Sequence, residues 1–291
     1  IDGIVGIGPQ YVGPPLPDLA PDRRVDEWGM EYRRQEYATG TYWEQVGYPL
    51  ADAQTIADLD AYPWPSPDWY DYSVMPDLPQ ARGDRAVMYG YTAIFFWHNK
   101  LRGLEQSLTD PLLKPEFTRH LLRRITDTFL SLYEPGFRAA QGRVDITQVT
   151  DDFGSQSGLL ISRSLFTDFY RPEMERAIAL AKAYGLKVFH HDDGAMRELV
   201  PDLIEMGIDV LNPIQWRCPG MDRAALAADF GERLCFHGGV DNQQTLPFGT
   251  PDDVWAEVEY NLKTLGAGGT GYIVAPCHNM QPNTPTENIL A

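Results

Sequence analysis

Lys187-Val-Phe-His-His-Asp-Asp-Gly194 joins a short apolar run to a cluster of titratable residues. A short β-rich run, Leu186 to Phe189, ends abruptly in two histidines and two aspartates, and Gly194 then opens a helical pattern. Side chains on a strand alternate sides, so Phe189, His191 and Asp193 share one face while His190 and Asp192 share the other. An imidazole and a carboxylate two residues apart at the C-terminal end of a strand suit proton transfer or metal ligation. The competing reading is a histidine satisfied by a local aspartate at a strand–helix turn, and this stretch alone does not choose between them.

The same arrangement recurs on either side of it. C-terminally, Ala195 to Met206 reads as a helix ended by Gly207, and Asp209 to Leu211 as a strand running into Asn212-Pro-Ile-Gln215. Asp222 to Phe230 is a helix, and Leu234 to Phe236 a strand running into His237-Gly-Gly-Val-Asp241. Thr250 caps a helix with Pro251 at its first position, lasting to Leu265, and Tyr272 to Ala275 is a strand running into Pro276-Cys-His-Asn279. N-terminally, a helix from Ser164 to Tyr184 is kinked or broken by Pro172, and Val144 to Thr150 is a strand ending in Asp151-Asp-Phe-Gly154. Before these come an amphipathic helix from Pro115 to about Ala140, broken at Pro135-Gly136, a helix from Ile94 to Leu108, and strands at Ala86 to Thr92 and Ile4 to Ile7.

Strands and helices alternating in units of roughly 20 to 40 residues make the (βα) repeat of a parallel sheet. Seven strands can be read, and an eighth would lie just before Ile1. No Gly-x-Gly-x-x-Gly follows a strand and no Walker loop appears, which favours a closed α/β TIM (β/α)8 barrel over an open doubly wound sheet. The chain starts at Ile1 inside a strand and stops at Ala291 just after a capping-box signature, Thr284-Pro-Thr-Glu287. The expectation is a piece of a longer protein whose first strand and N-terminal helices are missing here. Residues 1–291 then form one domain, with 86–291 as the main barrel. Residues 1–85 hold one strand and a Pro- and aromatic-rich excursion. The aromatic content of that excursion argues against disorder, and short helices are expected at Leu50 to Leu59 and around Trp69 to Leu78.

A net charge of −17 argues against binding to a nucleic-acid backbone and gives no reason for attraction to an anionic membrane. No apolar run approaches a membrane span. Three cysteines, Cys218, Cys235 and Cys277, form no C-x-x-C pair and no disulfide framework, which points to a reducing, cytoplasmic setting.

Five successive strands end in polar residues: Asp151/Asp152, His191/Asp193, Asn212/Gln215, His237/Asp241 and Cys277/His278/Asn279. Each has a dull explanation, such as a turn cap for Asp152 or Asp241, an Asx turn for Asn212, or a small buried hydrophobe for Cys277. Their recurrence at the face where barrels build active sites is what argues for function. His98 and His120, on helices, read as structural or solvated.

The series Asp151-Asp-Phe-Gly, His191-Asp-Asp-Gly, Asp209-Val-Leu-Asn-Pro-Ile-Gln215, Phe236-His-Gly-Gly-Val-Asp241, Leu246-Pro-Phe-Gly-Thr-Pro251 and Ala275-Pro-x-His-Asn-x-Gln-Pro282 resembles the uroporphyrinogen decarboxylase superfamily. Within it the branch of corrinoid-dependent methyltransferases is the nearer match. The resemblance implies a TIM barrel. In that branch it also implies zinc on a His-x-Cys pair and a later Cys, activating a thiol to receive a methyl group. Here His191 and Asp193 match the pair and His278 matches the later Cys, with Cys277 beside it. The implied ligand set shifts from thiolate towards imidazole and carboxylate, acceptable to zinc or another divalent metal. The expected activity is a metal-dependent methyltransferase working with a small-molecule methyl donor and a thiol acceptor, or a corrinoid carried by a partner protein. Asp152 and His237 would be catalytic, placed across the barrel mouth from the metal. Asp151, Asn212, Gln215, Asp241 and Asn279 would bind substrate. The alternatives are a metal-free decarboxylase acting on a tetrapyrrole, and a barrel that binds a corrinoid or other ligand without turnover.

Overall fold

A computed structural model describes residues 4–37, 40–77 and 83–291. The chain divides into two compact units, Ile1–Gln148 with Ser164–Leu186, and Val149–Arg163 with Lys187–Ala291.

The strands of the first unit, in order, are β1 (Val5–Gly6), β2 (Gln10–Tyr11), β3 (Arg23–Val25), β4 (Glu31–Tyr37), β5 (Gly40–Gly47), β6 (Tyr70–Asp71), β7 (Val87–Thr92) and β8 (Ile146–Val149), whose last residue opens the second unit. β1 and β7 pair in parallel, with Val5 opposite Val87. The helix Pro115–Ala139 buries Phe117, Leu121, Ile125, Phe129 and Leu132 along one stripe, the spacing of an amphipathic helix. It is not broken at Pro135-Gly136. Pro135 forfeits the bond that an N–H there would make to the Ser131 carbonyl, but the helix runs on past it, with Ala140 N–H reaching Gly136 O at 2.9 Å. Gly136 is a packing residue, since a Cβ there would stand 2.2 Å from a ring carbon of Tyr89.

The helix expected over Ile94 to Leu108 is two, Ile94–Arg102 and Leu104–Leu113. Gly103 separates them at φ +89°, a conformation costly for other residues. Arg102 is buried against Asp110 (Nε to Oδ2 2.8 Å) and also donates to the carbonyls of Leu50, Ala51 and Ala53. The helix expected from Leu50 begins only at Ile56, capped by Thr55 and Asp58, and the segment before it is held as a turn by Arg102 and by Ala53 N–H donating to Leu50 O (3.2 Å). Around Trp69 there are two single 3₁₀ turns instead of a helix, and Leu78 lies outside the described residues. The excursion also holds a three-stranded antiparallel sheet, β3-β4-β5, absent from the expectations above. Before Pro172 the helix passes through a π-helical turn, Phe166–Tyr170, before resuming as Arg171–Ala183, the interruption that Pro172 implied.

The second unit carries β9 (Lys187–His191), β10 (Val210–Asn212), β11 (Cys235–Val240) and β12 (Tyr272–Pro276), parallel and adjacent in that order. Their register places Asn212 opposite His191. Val188, Phe189, Val210, Leu211 and Phe236 are all buried, as strands covered on both faces require. β11 extends four residues beyond the expected Phe236, so His237 lies within the strand. Asp222 and Thr250 cap the helices Arg223–Phe230 and Pro251–Thr264 as expected. The Thr284 capping box does not form, because the final helix, Thr286–Leu290, starts after Pro285 with no side-chain cap. Parallel strands joined by helices make the chain α/β. No helix among the described residues is long and apolar enough to cross a membrane.

Candidate metal centre

Three of the residues singled out in the sequence come together at the C-terminal ends of β9 and β12. Ligating atoms of His191, Asp193 and His278 all lie within 4.8 Å of one another. His191 and Asp193 are half-buried and His278 is exposed, so the group is anchored on one side and open on the other. Two imidazoles and a carboxylate with an open fourth position are the donor set of catalytic zinc sites.

His191 is held by its backbone and by its ring. Thr150 Oγ1 donates to His191 O (2.6 Å) and accepts from its N–H (2.9 Å), a clamp that sequence reasoning missed although Thr150 ends the predicted strand. In the ring, Nδ1 bonds to Asn212 Oδ1 at 2.6 Å, while Asn212 Nδ2 donates to His237 Nδ1 at 2.7 Å. The amide orientation follows from chemistry, because Nδ2 also faces the His237 carbonyl (3.4 Å), which only accepts. Oδ1 must then accept the Nδ1 proton of His191, leaving Nε2 as a lone pair available to a metal or a proton. On the other side His237 Nδ1 accepts, which requires a neutral ring. Burial and the neighbouring His191 both hold the His237 pKa below the usual histidine value. Asn212, expected to bind substrate, thus sets the tautomers of two histidines.

Asp193 is aimed by Gln215, whose Nε2 donates to Asp193 Oδ1 (3.2 Å) while its Oε1 accepts from Gly194 N–H (2.7 Å). Burial, the largest influence, raises the Asp193 pKa from the ordinary carboxylate value. The loops after β8 and β9 are in backbone contact. A Cβ on Gly154 would meet the Asp193 carbonyl oxygen at 2.1 Å, and one on Gly194 (φ +88°) would meet the Ser155 carbonyl oxygen at 2.4 Å.

His190 and Asp192 occupy the opposite face, as strand alternation required, and both are fully buried. His190 Nδ1 donates to Val149 O (2.8 Å), and burial pushes its pKa down to about 4. Asp192 accepts Gly154 N–H (2.9 Å), and burial raises its pKa well above the carboxylate range. Keeping both groups neutral avoids burying charge.

Other expected site residues fall elsewhere. Asp152 is beside His191, not across from it, with Oδ1 3.6 Å from His191 Nε2 and accepting Asp193 N–H at 3.2 Å. The reason is that the segment after β8 runs along β9, with Asp151 N–H donating to His191 O. Asp151 is itself buried and Asn279 exposed. Asp241 pairs with Arg217 and accepts from the backbone N–H groups of Gln243, Gln244 and Thr245, so its oxygens organise the turn after β11. Cys277 does not join the three ligand candidates. Its buried thiol donates to Ile214 O (3.2 Å), and burial pushes its pKa up to about 12, which keeps it protonated and a poor ligand.

The family model for uroporphyrinogen decarboxylase (URO-D) matches residues 94–291. The chain belongs to the uroporphyrinogen decarboxylase family. A protein named uroporphyrinogen decarboxylase from Anaeromyxobacter sp. (strain Fw109-5) is 23% identical over 271 residues, 90% of this chain and 73% of that protein. A solved methyltransferase from Methanosarcina mazei shares the fold at a TM-score of 0.65 and 17% identity, covering 90% of this chain and 73% of the other. The URO-D chain has the α/β TIM-barrel fold that its alternating strands and helices implied. Both named relatives are enzymes, one a decarboxylase and one a methyltransferase.

Proposed function

We propose that this URO-D family protein is a metal-dependent methyltransferase of the corrinoid type, moving a methyl group between a small donor and a thiol or corrinoid acceptor. The observation that carries the reading is the grouping of His191, Asp193 and His278 within 4.8 Å. The Asn212 amide supports it by holding the proton of the neutral His191 ring on Nδ1, which turns the Nε2 lone pair towards the group. Bonds of about 2.0–2.1 Å to one zinc bring ligand atoms to roughly 3.3 Å apart, which small side-chain rotations would achieve. A divalent metal held there supplies Lewis acidity, lowering the pKa of a thiol or polarising a methyl donor. Asp193, held by Gln215, and His278, open to solvent, complete the donor set. Asp152, 3.6 Å from His191 Nε2, is placed to accept the proton that a thiol or hydroxyl releases there. His237, kept neutral by burial, orients substrate on the other side of Asn212.

Protein purified without added metal is expected to carry about one zinc or other divalent ion per chain, and His191→Ala to lose it. Methyl transfer to cob(I)alamin from a panel of small donors tests the reaction itself. The similarity to a named uroporphyrinogen decarboxylase favours a second reading, a carboxy-lyase acting on a tetrapyrrole without metal. Metal-free protein that decarboxylates uroporphyrinogen, with no methyl transfer, would establish that reading and remove the first.

A further inference from the structure

The first unit encloses a cavity of about 280 Å³, lined by Pro9, just past β1, and Tyr91, near the end of β7. Part of its lining therefore lies at the C-terminal ends of these strands, the end at which barrels of this class bind substrates. Its walls are aromatic. Trp28 meets Trp97 (centroids 5.6 Å, planes at 65°), Trp97 meets Phe129 (5.1 Å, 74°), and Tyr89 meets Tyr133 (5.5 Å, 88°). An edge-to-face contact occupies one face of only one of the two rings, whereas Phe129 and Tyr133 stack on each other (5.8 Å, 10°), and the ring faces left towards the space carry the negative end of the quadrupole.

The polar groups around the cavity point the same way. Tyr72 and Tyr89 hydroxyls both donate to Leu132 O and the Tyr133 hydroxyl donates to Tyr91 O, so these three donors are engaged, while the buried Trp97 Nε1–H has no partner among the described residues. Among the described residues no lysine, arginine or histidine lines the space, and the one charged residue that does is Glu27. Glu27 is half-buried and accepts from the Tyr70 hydroxyl (3.1 Å), and among the described residues no cationic side chain pairs with it. A carboxylate withdrawn from water without a counter-ion is unfavourable, and a cation in the cavity would relieve it.

We propose that this cavity binds a small alkylated ammonium ion, quaternary or tertiary, with the aromatic faces around the charged head and Glu27 as counter-ion. This combination of ring faces and one carboxylate is how proteins hold onium groups. A purely structural aromatic cluster would close the space and would not keep an unpaired carboxylate beside it. The cage is built from residues other than His191, Asp193 and His278, and its occupancy does not depend on methyl transfer.

The test is calorimetric titration of the full chain with choline and with 3,3-dimethylbutan-1-ol, its uncharged isostere, at physiological ionic strength. Choline is expected to bind at least about tenfold more tightly than the alcohol and to change the tryptophan fluorescence. Glu27→Gln is expected to weaken choline about tenfold and leave the alcohol unchanged. Equal affinities, tighter binding of the alcohol, or no heat with choline would overturn the proposal, as would a folded Glu27→Gln protein that binds choline like the wild type. The comparison of the two isosteres on unaltered protein decides the matter alone should Glu27→Gln fail to fold.

Discussion

Asn212 offers the most informative perturbation, because one amide serves two rings with opposite hydrogen-bonding needs. Asn212→Leu keeps the number and branching of side-chain heavy atoms and removes both bonds, those to His191 Nδ1 (2.6 Å) and His237 Nδ1 (2.7 Å). His191 then has no reason to keep its proton on Nδ1, and half of the neutral population carries it on Nε2 in the absence of any other bias. Losing that orientation should cost about 10–100-fold in metal affinity, or roughly 1.4–2.7 kcal/mol. Two buried ring nitrogens without partners should also cost about 1–3 kcal/mol each in stability. Asn212→Asp separates these effects. A carboxylate still accepts from His191 Nδ1–H, so affinity should stay near wild type. It cannot donate to His237, which must protonate to restore the bond, so the His237 titration seen by NMR should move up. Competition with a chromophoric chelator at neutral pH measures the affinities. An Asn212→Leu protein that binds zinc as tightly as wild type would refute the reasoning, and so would an Asn212→Asp protein that fails as badly as Asn212→Leu.

The two adjacent histidines should behave oppositely: His191→Ala loses metal with little change in melting temperature, whereas His190→Asn, at a fully buried site bonded to Val149 O, keeps metal and loses about 1–3 kcal/mol. Metal analysis and denaturant melts of both variants check this, and reversed effects would mean the strand register is off by one. Asp152→Asn retains an oxygen for Asp193 N–H but loses the charge beside His191, so metal content should hold while turnover falls about 10²-fold or more. Unchanged turnover with a lowered melting temperature would leave Asp152 as a turn cap. Acid should also destabilise the first unit through His98, which is fully buried, bonded to the Tyr170 hydroxyl (3.0 Å), and held at a pKa of about 3 by burial and, less strongly, by Arg102. The unfolded ring takes its proton at about 6.5 and the folded ring does not. Stability is therefore full above that value and falls by about 1.4 kcal/mol per pH unit below it, until the folded pKa is reached. At pH 5 the loss is about 2 kcal/mol, and His98→Gln should remove that share from a pH series of urea melts.

The alternation of the second half was legible because buried parallel strands read as short apolar runs ending in polar residues, and Asp151, His191, Asn212 and His278 all end or follow such runs. The face shared by His191 and Asp193 follows from the two-residue period alone. What could not be read depends on which strand lies next to which side chain. Asp152 was expected far from the metal group because its position follows from the segment after β8 running along β9. Asn212 looked like a substrate residue because nothing local reveals that it lies opposite His191 in register and one bond from His237. The antiparallel sheet β3-β4-β5 was missed although Thr41-Tyr-Trp-Glu-Gln-Val46 is rich in strand-forming residues, since the prolines and aspartates around it suggested turns. Pro135 and Gly136 looked like breakers because tertiary contact, here Tyr89 against the glycine, overrides local preference.

The meeting of Gly154 with the Asp193 carbonyl, and of Gly194 with that of Ser155, separates the job of holding the loops from the job of ligating. Main-chain contact fixes where the side chains at 191 and 193 begin, whatever those side chains are. A thiolate in place of a carboxylate would favour a softer ion, and a second carboxylate a harder one, with no change asked of the backbone. In the proposed metal site, the identity of the ion would then be a property of a few exchangeable side chains. The two glycines carry the opposite burden, since any larger residue at either position moves both loops together, and with them every donor they present.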